Sequence, residues 1–251
     1  MRITRIYHSA PLRCGDTTYL DTDASNHLIR VLRARTGAPV ILFNGDGFDY
    51  HCRTLDNDTK KTSLSIESKI AVDNESNINI CLMQGLSRHD RMEATIQKSI
   101  ELGVNTIIPV ICQRSNFKLG ADKAQKKLAH WRKIAVSACE QSGRSKLPLL
   151  EDIVALNNIE SLLDKNTLKI ALDPRSRTTL KDITPERLIG CDHNIAILIG
   201  PEGGFNDEEI DFLEEKQFMT IRFGPRILRT ETAGPAVISA IQLLWGDLGK
   251  N

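Results

Sequence analysis

The stretch Ile195-Ala-Ile-Leu-Ile-Gly-Pro-Glu-Gly-Gly-Phe-Asn206 decides the fold class of this 251-residue chain. Its first five residues are apolar and predict a buried strand, while Asn206 is a favourable N-cap for a helix with acids in its first turn. The loop between them, 200–205, therefore follows a strand and precedes a helix. Ligands of α/β proteins bind at the carboxyl ends of strands, and adjacent glycines let backbone amides approach a ligand closely. The loop is either a binding loop or a tight structural turn.

Strands and helices alternate on both sides of this stretch. Buried strands are predicted from short apolar runs at residues 78–83, 106–111, 168–172 and 219–223. Helices are predicted from regularly spaced apolar positions at residues 91–103, 121–142 and 232–246. Strands that alternate with helices form parallel sheets covered by helices on both faces, so we predict an α/β domain over residues 77–251.

A second loop also lies between a strand and a helix, and its sequence is Phe223-Gly-Pro-Arg-Ile-Leu-Arg-Thr-Glu-Thr-Ala233. Its two arginines and one glutamate concentrate charge that a protein core would exclude. Thr232 is the expected N-cap of the following helix, which puts Pro235 in the first turn, where a helix needs no amide from it. The helix then carries an apolar stripe, which belongs either to the core or to a subunit interface and comprises Val237, Ala240, Ile241 and Leu244.

Residues 1–72 are predicted to form a small β-rich domain. A strand at 39–44 runs into Asn44-Gly-Asp-Gly47, whose Asn-Gly and Asp-Gly pairs supply the positive φ angles of a tight hairpin. One helix is expected from Asp23 to Arg33, with Leu28, Val31 and Leu32 on one face. The short polar stretch 72–77 is the expected linker between the two domains.

The charge distribution is more informative than the net charge of +1. Between Arg114 and Lys133 seven basic residues, Lys118 among them, are opposed only by Asp122. A milder basic surplus near the N-terminus includes Arg2, Arg30, Arg33 and Arg35. Each cluster is either a surface that binds the phosphate backbone of a nucleic acid or a helix face exposed to solvent.

Several classes of protein are disfavoured by the composition. No apolar run approaches the roughly 18 residues of a membrane span, and the N-terminus lacks an apolar signal segment, so we expect a cytoplasmic protein without a membrane partner. The six cysteines lie at least 27 residues apart. Their spacing contains no CxxC or CxxH cluster, so we expect reduced thiols, no structural zinc and no other metal site.

The two loops, taken together with three further motifs, resemble one known family. The further motifs are Arg91–Val104, Trp131–Ala135 with Glu140–Arg144, and His27–Arg33. All of them are similar, in order and over both predicted domains, to the motifs of the small-subunit (16S) ribosomal RNA uracil-N3 methyltransferases. That family belongs to the SPOUT superfamily of S-adenosylmethionine-dependent enzymes.

The resemblance implies the fold, the cofactor and the partners. It implies a C-terminal SPOUT-type trefoil-knotted parallel sheet that binds S-adenosylmethionine, with a small N-terminal PUA-like β-barrel domain that binds RNA. The implied partners are ribosomal RNA or the small ribosomal subunit and a second copy of the chain in a homodimer. The implied cofactor-binding residues are Leu172, Ile199, Gly200, Pro201, Glu202, Gly203, Gly204, Phe223, Gly224, Ile227, Leu228, Thr230, Thr232 and Ala233.

The chemistry of the implied reaction indicates the other site residues. N3 of uracil lies on the pairing edge and carries a proton, so the base must be unpaired and the proton must leave. Arginines would stabilise the negative charge that develops on the ring, and the candidates are Arg229, Arg226 and Arg144. Arginine is a poor base, which leaves Glu231 or Glu202 to take the proton. The candidates for RNA contact are Arg30, Arg33, Arg35, Arg91, Lys126 and Lys127.

Two other functions stay open at this point. A different knotted RNA methyltransferase, such as one that acts on ribose 2′-hydroxyls, would share the same loops. A non-enzymatic RNA-binding protein with a degenerate cofactor pocket is a further alternative, although the intact glycines of 200–204 speak against it.

Overall fold

The computed structural model describes residues 3–115 and 120–249. Arg2 and Lys118 of the predicted basic clusters lie outside the described residues. The chain divides into two compact units. The first unit comprises the residues up to Glu75 together with Cys139–Leu147, and the second comprises Ser76–Ala138 together with the residues from Pro148 onward. The sequence-based division did not anticipate that residues 139–147 pack within the first unit.

The first unit is built around one mainly antiparallel sheet, with the strand order β1-β3-β4-β5-β2 among the described residues. Its elements are β1 (Thr4–Tyr7), β2 (Thr17–Tyr19), α1 (Thr22–Asn26), β3 (Pro39–Phe43), β4 (Phe48–Thr54) and β5 (Ser63–Ala71). The predicted hairpin joins β3 to β4, and both Gly45 and Gly47 have positive φ angles. The core of this unit contains the fully buried Leu28, Leu42 and Leu64.

The helix predicted from Asp23 to Arg33 is shorter and less regular than expected. α1 ends at Asn26 and continues as a π-helical turn over His27–Val31, in which the Leu32 amide bonds the His27 carbonyl oxygen at 3.0 Å. A π turn contains more residues than an α turn, so the side chains that follow are rotated around the axis. Leu28 is buried as predicted, but Val31 and Leu32 are exposed, and the predicted common face is therefore wrong.

The second unit contains the predicted alternation of strands and helices. Its strands are β6 (Asn79–Gly85), β7 (Thr106–Ile111), β8 (Leu149–Leu150), β9 (Val154–Ala155), β10 (Leu168–Leu172), β11 (Asn194–Ile199) and β12 (Met219–Ile221). Its helices are α2 (His89–Glu101), α3 (Ala121–Ser142, whose last residues count with the first unit), α4 (Pro185–Ile189), α5 (Asp207–Glu215) and α6 (Thr230–Leu244). The strand order is β12-β10-β11-β6-β7-β8, with β9 also paired to β7, and each of these pairings is parallel. The predicted parallel sheet is confirmed.

Burial explains why these residues form these elements. Met92, Ile96 and Ile100 recur every four residues along α2, and each is fully buried. The α2 helix packs against α6. Buried Met83, Ile108 and Leu198 come from neighbouring strands and form part of one core cluster with Phe205, which follows the glycine-rich loop.

The α6 helix begins earlier than predicted. Its N-cap is Arg229 rather than Thr232, and its first residue is Thr230. Pro235 consequently lies beyond the first turn, where its missing amide leaves the Glu231 carbonyl oxygen without the usual helical donor. The predicted apolar stripe is divided: Val237 and Ile241 are fully buried in the core, whereas Leu244 is exposed, as is its neighbour Leu243 outside the stripe.

Candidate active site

Three parallel strands of the second unit end at one pocket with a volume of 660 Å³. β10, β11 and β12 end at Leu172, Ile199 and Ile221, and each of these residues lines the pocket. The loops that follow the three strands supply most of the remaining wall. Ligands of α/β proteins bind at this edge of the sheet, and small-molecule pockets typically measure roughly 300–1,000 Å³.

The glycine-rich loop forms one wall of the pocket. Gly204 has a φ of +65°, a conformation that L side chains rarely adopt. A Cβ on Gly203 would lie 3.0 Å from Cβ of Arg114, so the missing side chain lets Arg114 pack closely on the loop. The Nη1 atom of Arg114 donates to the carbonyl oxygens of Gly203 and Phe205, at 3.0 and 3.3 Å. The backbone of the loop is thus held in place by Arg114, a residue from a distant part of the sequence.

The start of α5 anchors the other end of this loop. Asn206 and Glu209 form the capping box, in which Oδ1 of Asn206 accepts from the Glu209 amide at 2.8 Å and Oε2 of Glu209 accepts from the Asn206 amide at 3.0 Å. Oε1 of the buried Glu209 also accepts from the Gln113 amide at 2.7 Å. The predicted Asn206 cap is confirmed, and it ties the loop to the segment that carries Arg114.

A small ion-pair cluster lies beside the pocket. Nη1 of Arg91 is 2.9 Å from Oε1 of Glu202, and Nε of Arg91 is 3.8 Å from Oε1 of Glu231. Glu202 also accepts from the Arg88 amide at 3.3 Å. Oε2 of Glu231 is buried and has no hydrogen-bond partner among the described residues. Arg91 therefore neutralises two carboxylates, one of which lines the pocket.

A second ion-pair cluster lies on the loop that follows β10. Nε of Arg175 contacts both carboxylate oxygens of Asp173, at 3.1 and 3.2 Å, and Nη1 of Arg175 donates to Asp207. Hydrogen bonds to Asp173 and Asp207 raise the pKa of Arg175 above its ordinary value. Asp173 and Arg175 line the pocket as a charged pair.

Most of the predicted cofactor residues lie together around this pocket. The residues that line it are Leu172, Ile199, Gly200, Pro201, Glu202, Gly203, Gly204, Phe223, Gly224, Ile227, Leu228, Thr230 and Ala233. Arg91, Arg226 and Arg229 line it as well. Thr232 is exposed and is not part of the lining, because α6 begins two residues before it. Glu231 also lies outside the lining and reaches the pocket only through Arg91.

Arg144, a predicted catalytic residue, has a different environment. It lies in the first unit, is 4% exposed, and its Nη2 and Nε atoms contact Glu75 at 2.6 and 3.0 Å. Nearby, the Tyr7 amide donates to Oε1 of Glu140 at 2.9 Å, and burial raises the pKa of Glu140. Glu140 and Arg144 of this motif thus form contacts within the first unit, and Arg144 is not among the residues that line the pocket.

Of the basic residues predicted to contact RNA, four are exposed and two are only partly exposed. Arg30, Arg33 and Arg35 are exposed in the first unit, and Lys126 is exposed on α3. Lys127 is only partly exposed: its Nζ atom lies 5.8 Å from the centre of the buried Trp131 ring, and burial lowers its pKa. Arg91 is held by Glu202 and is 30% exposed. Lys127 and Arg91 therefore have internal partners that a solvated helix face would lack.

Sequence reasoning did not single out two residues of this region. Arg114 was counted only as part of a basic cluster, yet it holds the glycine-rich loop. Gln84 is a fully buried amide near the end of the apolar strand β6, and a lone polar residue within such a strand is the signal that could have identified it.

No helix among the described residues has the length and hydropathy required to cross a bilayer. The same part of the chain contains no group of three or more His, Cys, Asp or Glu side chains that could hold a metal ion. The six cysteines are free thiols, and burial raises the pKa of Cys52, Cys81 and Cys112 to about 12. The predicted reduced thiols therefore agree with the structure.

Comparison with known proteins gives consistent results for both units. The RNA methyltransferase domain matches residues 74–242, and the RNA methyltransferase PUA domain matches residues 20–62. The chain is 34% identical to the ribosomal RNA small subunit methyltransferase E of Buchnera aphidicola, over 98% of each chain. It is 33% identical to the protein of the same name from Bacillus subtilis, over 88% of this chain and 90% of that one.

Two solved structures are similar over nearly the full length. The ribosomal RNA small subunit methyltransferase E of Neisseria gonorrhoeae, bound to S-adenosylmethionine, has a TM-score of 0.90 and 35% identity, over 98% of this chain and 100% of that one. A Legionella pneumophila protein, also solved with this cofactor, has a TM-score of 0.91 and 37% identity, over 99% and 100% of the two chains. The expected fold class, a SPOUT-type parallel α/β domain preceded by a PUA-like domain, is confirmed.

Proposed function

This chain belongs to the RNA methyltransferase family, and we propose that it methylates N3 of a uracil in the 16S RNA of the small ribosomal subunit with S-adenosylmethionine as donor. The observation that carries the proposal is the pocket at the ends of β10, β11 and β12, which gathers both signature loops. The relatives named ribosomal RNA small subunit methyltransferase E support small-subunit ribosomal RNA as the class of substrate. The choice of uracil N3 rests on the resemblance of the motifs.

The residues of the pocket fit this cofactor. Apolar side chains of Leu172, Ile199 and Leu228 suit a flat adenine ring, and the glycines of 203–204 let backbone groups approach it. Carboxylates at Asp173 and Glu202 suit the cationic parts of the ligand. When bound, S-adenosylmethionine supplies an electrophilic methyl group on a positively charged sulfur. We assign the lining residues named above to cofactor binding.

The arginines of the second loop suit the substrate. Arg226 and Arg229 are exposed, line the pocket, and form no ion pair with the described residues. Their guanidinium groups can donate to the two uracil oxygens as negative charge develops on the ring. Arg229 is also the N-cap of α6, which fixes its backbone beside the pocket. We therefore assign transition-state stabilisation to Arg229, with Arg226 as a second donor.

Removal of the N3 proton requires an acceptor. Glu202 lines the pocket, whereas Glu231 is reached only through Arg91, so Glu202 has the access that Glu231 lacks. Both carboxylates share Arg91, and a shift of that side chain toward RNA phosphate would free them. In this proposal Glu202 accepts the proton and Glu231 holds Arg91.

Selection of one uridine requires contacts beyond the pocket. In the proposal, residues 1–72 form the RNA-binding domain and present Arg30, Arg33 and Arg35, while residues 77–251 form the catalytic domain and present Lys126. The enzyme acts as a cytoplasmic homodimer, for which the exposed Leu243 and Leu244 of α6 offer apolar contact area.

Transfer of a labelled methyl group tests the proposal as a whole. Purified protein is incubated with methyl-tritiated S-adenosylmethionine and small subunits or their RNA from cells that lack the modification. Label in the RNA is expected, and its absence from both substrates would contradict the proposed function. Light scattering at micromolar concentration tests the homodimer separately, and a monomer would contradict that part.

A further inference from the structure

Gln84 is a fully buried amide at the point where three elements of the second unit meet. It lies next to the end of β6, the strand between β11 and β7 in the sheet, and its neighbours in register are Ile199 and Pro109. Its side chain is 0% exposed. A buried amide is unfavourable unless it forms hydrogen bonds, so its partners indicate what it does.

Nε2 of Gln84 donates two hydrogen bonds, one to the carbonyl oxygen of the adjacent Gly85 at 3.1 Å and one that links the two loops of the pocket. Nε2 of Gln84 donates to Oγ1 of Thr230 at 2.8 Å, and Oγ1 of Thr230 donates to the carbonyl oxygen of Gly200 at 2.8 Å. Gly200 is the first residue of the glycine-rich loop, and Thr230 is the first residue of α6. Both line the pocket, and both belong to the predicted cofactor residues.

The direction of this hydrogen-bond chain is fixed by chemistry. A carbonyl oxygen only accepts, so the single hydroxyl proton of Thr230 must point at Gly200. The hydroxyl can then only accept from Gln84, which must present its NH₂ group. Oε1 of Gln84 consequently points away and has no donor among the described residues. An unpartnered buried acceptor is unfavourable, so the hydrogen bonds donated by the NH₂ group account for this orientation of the Gln84 amide.

Close packing beside Gln84 adds to the same constraint. A Cβ on the adjacent Gly85 would lie 2.5 Å from the Pro201 nitrogen and 2.7 Å from the Gly200 carbonyl carbon. The end of β6 therefore touches the backbone of the glycine-rich loop directly. From this geometry we propose that Gln84 is a positioning residue, which sets the spacing between Gly200 and Thr230 and so shapes the cofactor pocket without touching the cofactor.

The inference rests on the proposed function of the pocket and predicts a specific pattern of cofactor affinity. Gln84→Met keeps the size of the side chain but removes the donor, and we expect the Kd for S-adenosylmethionine to rise about tenfold. Thr230→Val removes the hydroxyl and should raise the Kd to a similar extent, whereas Thr230→Ser keeps the hydroxyl and should stay within about twofold of the native value. Both residues act through one chain of hydrogen bonds. The Kd of the double variant Gln84→Met/Thr230→Val should therefore be no higher than that of the weaker-binding single variant.

The experiment is calorimetry of the full-length chain with S-adenosylmethionine, alongside turnover at saturating cofactor and a thermal melt of each variant. A positioning role predicts a raised KM for the cofactor with kcat within about threefold of native. The inference is overturned if Gln84→Met binds S-adenosylmethionine with the native affinity, or if kcat falls while affinity stays the same. It is also overturned if the increases in Kd caused by the two substitutions multiply in the double variant. A fall in Tm without a change in affinity would overturn it as well, because that is the result of a purely structural role. The affinity pattern does not depend on the RNA product, so a protein that shows it but methylates a position other than uracil N3 would refute only the proposed function.

Discussion

Arg91 of α2 and Glu202 of the glycine-rich loop form an ion pair beside the pocket, with Nη1 2.9 Å from Oε1. Glu231 lies on the other side of the same guanidinium, with its Oε1 atom 3.8 Å from Nε. Two carboxylates therefore share the Arg91 guanidinium next to a site for which we propose a cationic ligand. This arrangement gives a prediction about the charge of the ligand itself.

Arg91→Gln should increase the preference of the pocket for S-adenosylmethionine over S-adenosylhomocysteine. Loss of one positive charge leaves the carboxylates unbalanced, which favours a sulfonium cation over a neutral thioether by about 1 kcal/mol, or roughly fivefold. Calorimetry with both ligands measures the ratio. The control is Arg88→Gln: the Arg88 side chain also lies 3.7 Å from Glu202, but it is 70% exposed, so its ion pair should contribute less. Equal ratios in the native protein and Arg91→Gln would count against this electrostatic role.

Gly203→Val should abolish cofactor binding. Its Cβ would lie 3.0 Å from Cβ and 3.4 Å from Cδ of Arg114, and the additional methyl groups would displace either Arg114 or the loop. The reason is steric, since the positive φ belongs to Gly204 instead. Gly120→Val is the matched control, because a Cβ at Gly120 meets no atom of the described residues within 4 Å. Unchanged affinity of Gly203→Val in calorimetry would remove this loop from the proposed cofactor site.

Arg229→Ala should leave the affinity for S-adenosylmethionine near the native value and lower kcat on RNA by about a hundredfold. Its proposed partner is the developing charge on the uracil rather than the sulfonium. The exposed Arg187→Ala on α4 is the control for loss of a surface arginine. A variant that loses cofactor affinity but regains native turnover at saturation would show that Arg229 serves the cofactor.

Arg144→Ala should destabilise the protein without changing cofactor affinity. The substitution leaves the carboxylate of Glu75, whose side chain is only 14% exposed, without this partner, and such a loss typically costs about 3–5 kcal/mol in the free energy of unfolding. Arg53→Ala is the comparison, because the pair Arg53–Glu67 is about half exposed and should be worth at most about 1 kcal/mol. Denaturant unfolding measures both. A stable Arg144→Ala protein with reduced kcat would instead support the catalytic role that the sequence suggested.

Reversal of charge on α3 should weaken RNA binding in a salt-dependent manner. Lys126 and Lys133 are exposed and lie seven residues apart, close to two helical turns. The variant Lys126→Glu/Lys133→Glu should reduce the slope of log K against log salt by about 2, one for each lost phosphate contact. Lys181→Glu, at an exposed position outside the basic cluster, is the control. An unchanged slope would identify α3 as a solvated helix face. Lys127 is left intact, since it packs against Trp131.

The sequence was most informative where local pattern and tertiary environment agree. The runs at 106–111 and 168–172 became mostly buried strands with the predicted bounds, because a strand covered on both faces requires a largely apolar sequence. The glycine-rich loop was recognised for a similar reason, since only glycine tolerates the φ of Gly204 at low cost. These features are set by residues close together in the chain.

Features that depend on distant residues could not be read from the sequence. The π turn at His27–Val31 exposes Val31, although its spacing fits an α-helical core face. Residues 139–147 join the first unit through contacts such as that between Arg144 and Glu75, which lie 69 positions apart. The hydrogen bond from Arg114 to the Gly203 carbonyl oxygen joins residues 89 positions apart. Neither spacing nor composition predicts which of many polar residues will meet across such distances.

The central claim, methylation of uracil at N3, is tested most directly by mass mapping of the modified nucleoside. Small-subunit RNA that lacks the modification is incubated with the protein and S-adenosylmethionine carrying a trideuterated methyl group, then digested to nucleosides and compared with authentic standards. The proposal predicts that the label co-elutes with N3-methyluridine, and that one oligonucleotide of a ribonuclease digest carries it. Label in a 2′-O-methylated ribose, or in any base other than uracil, would contradict it.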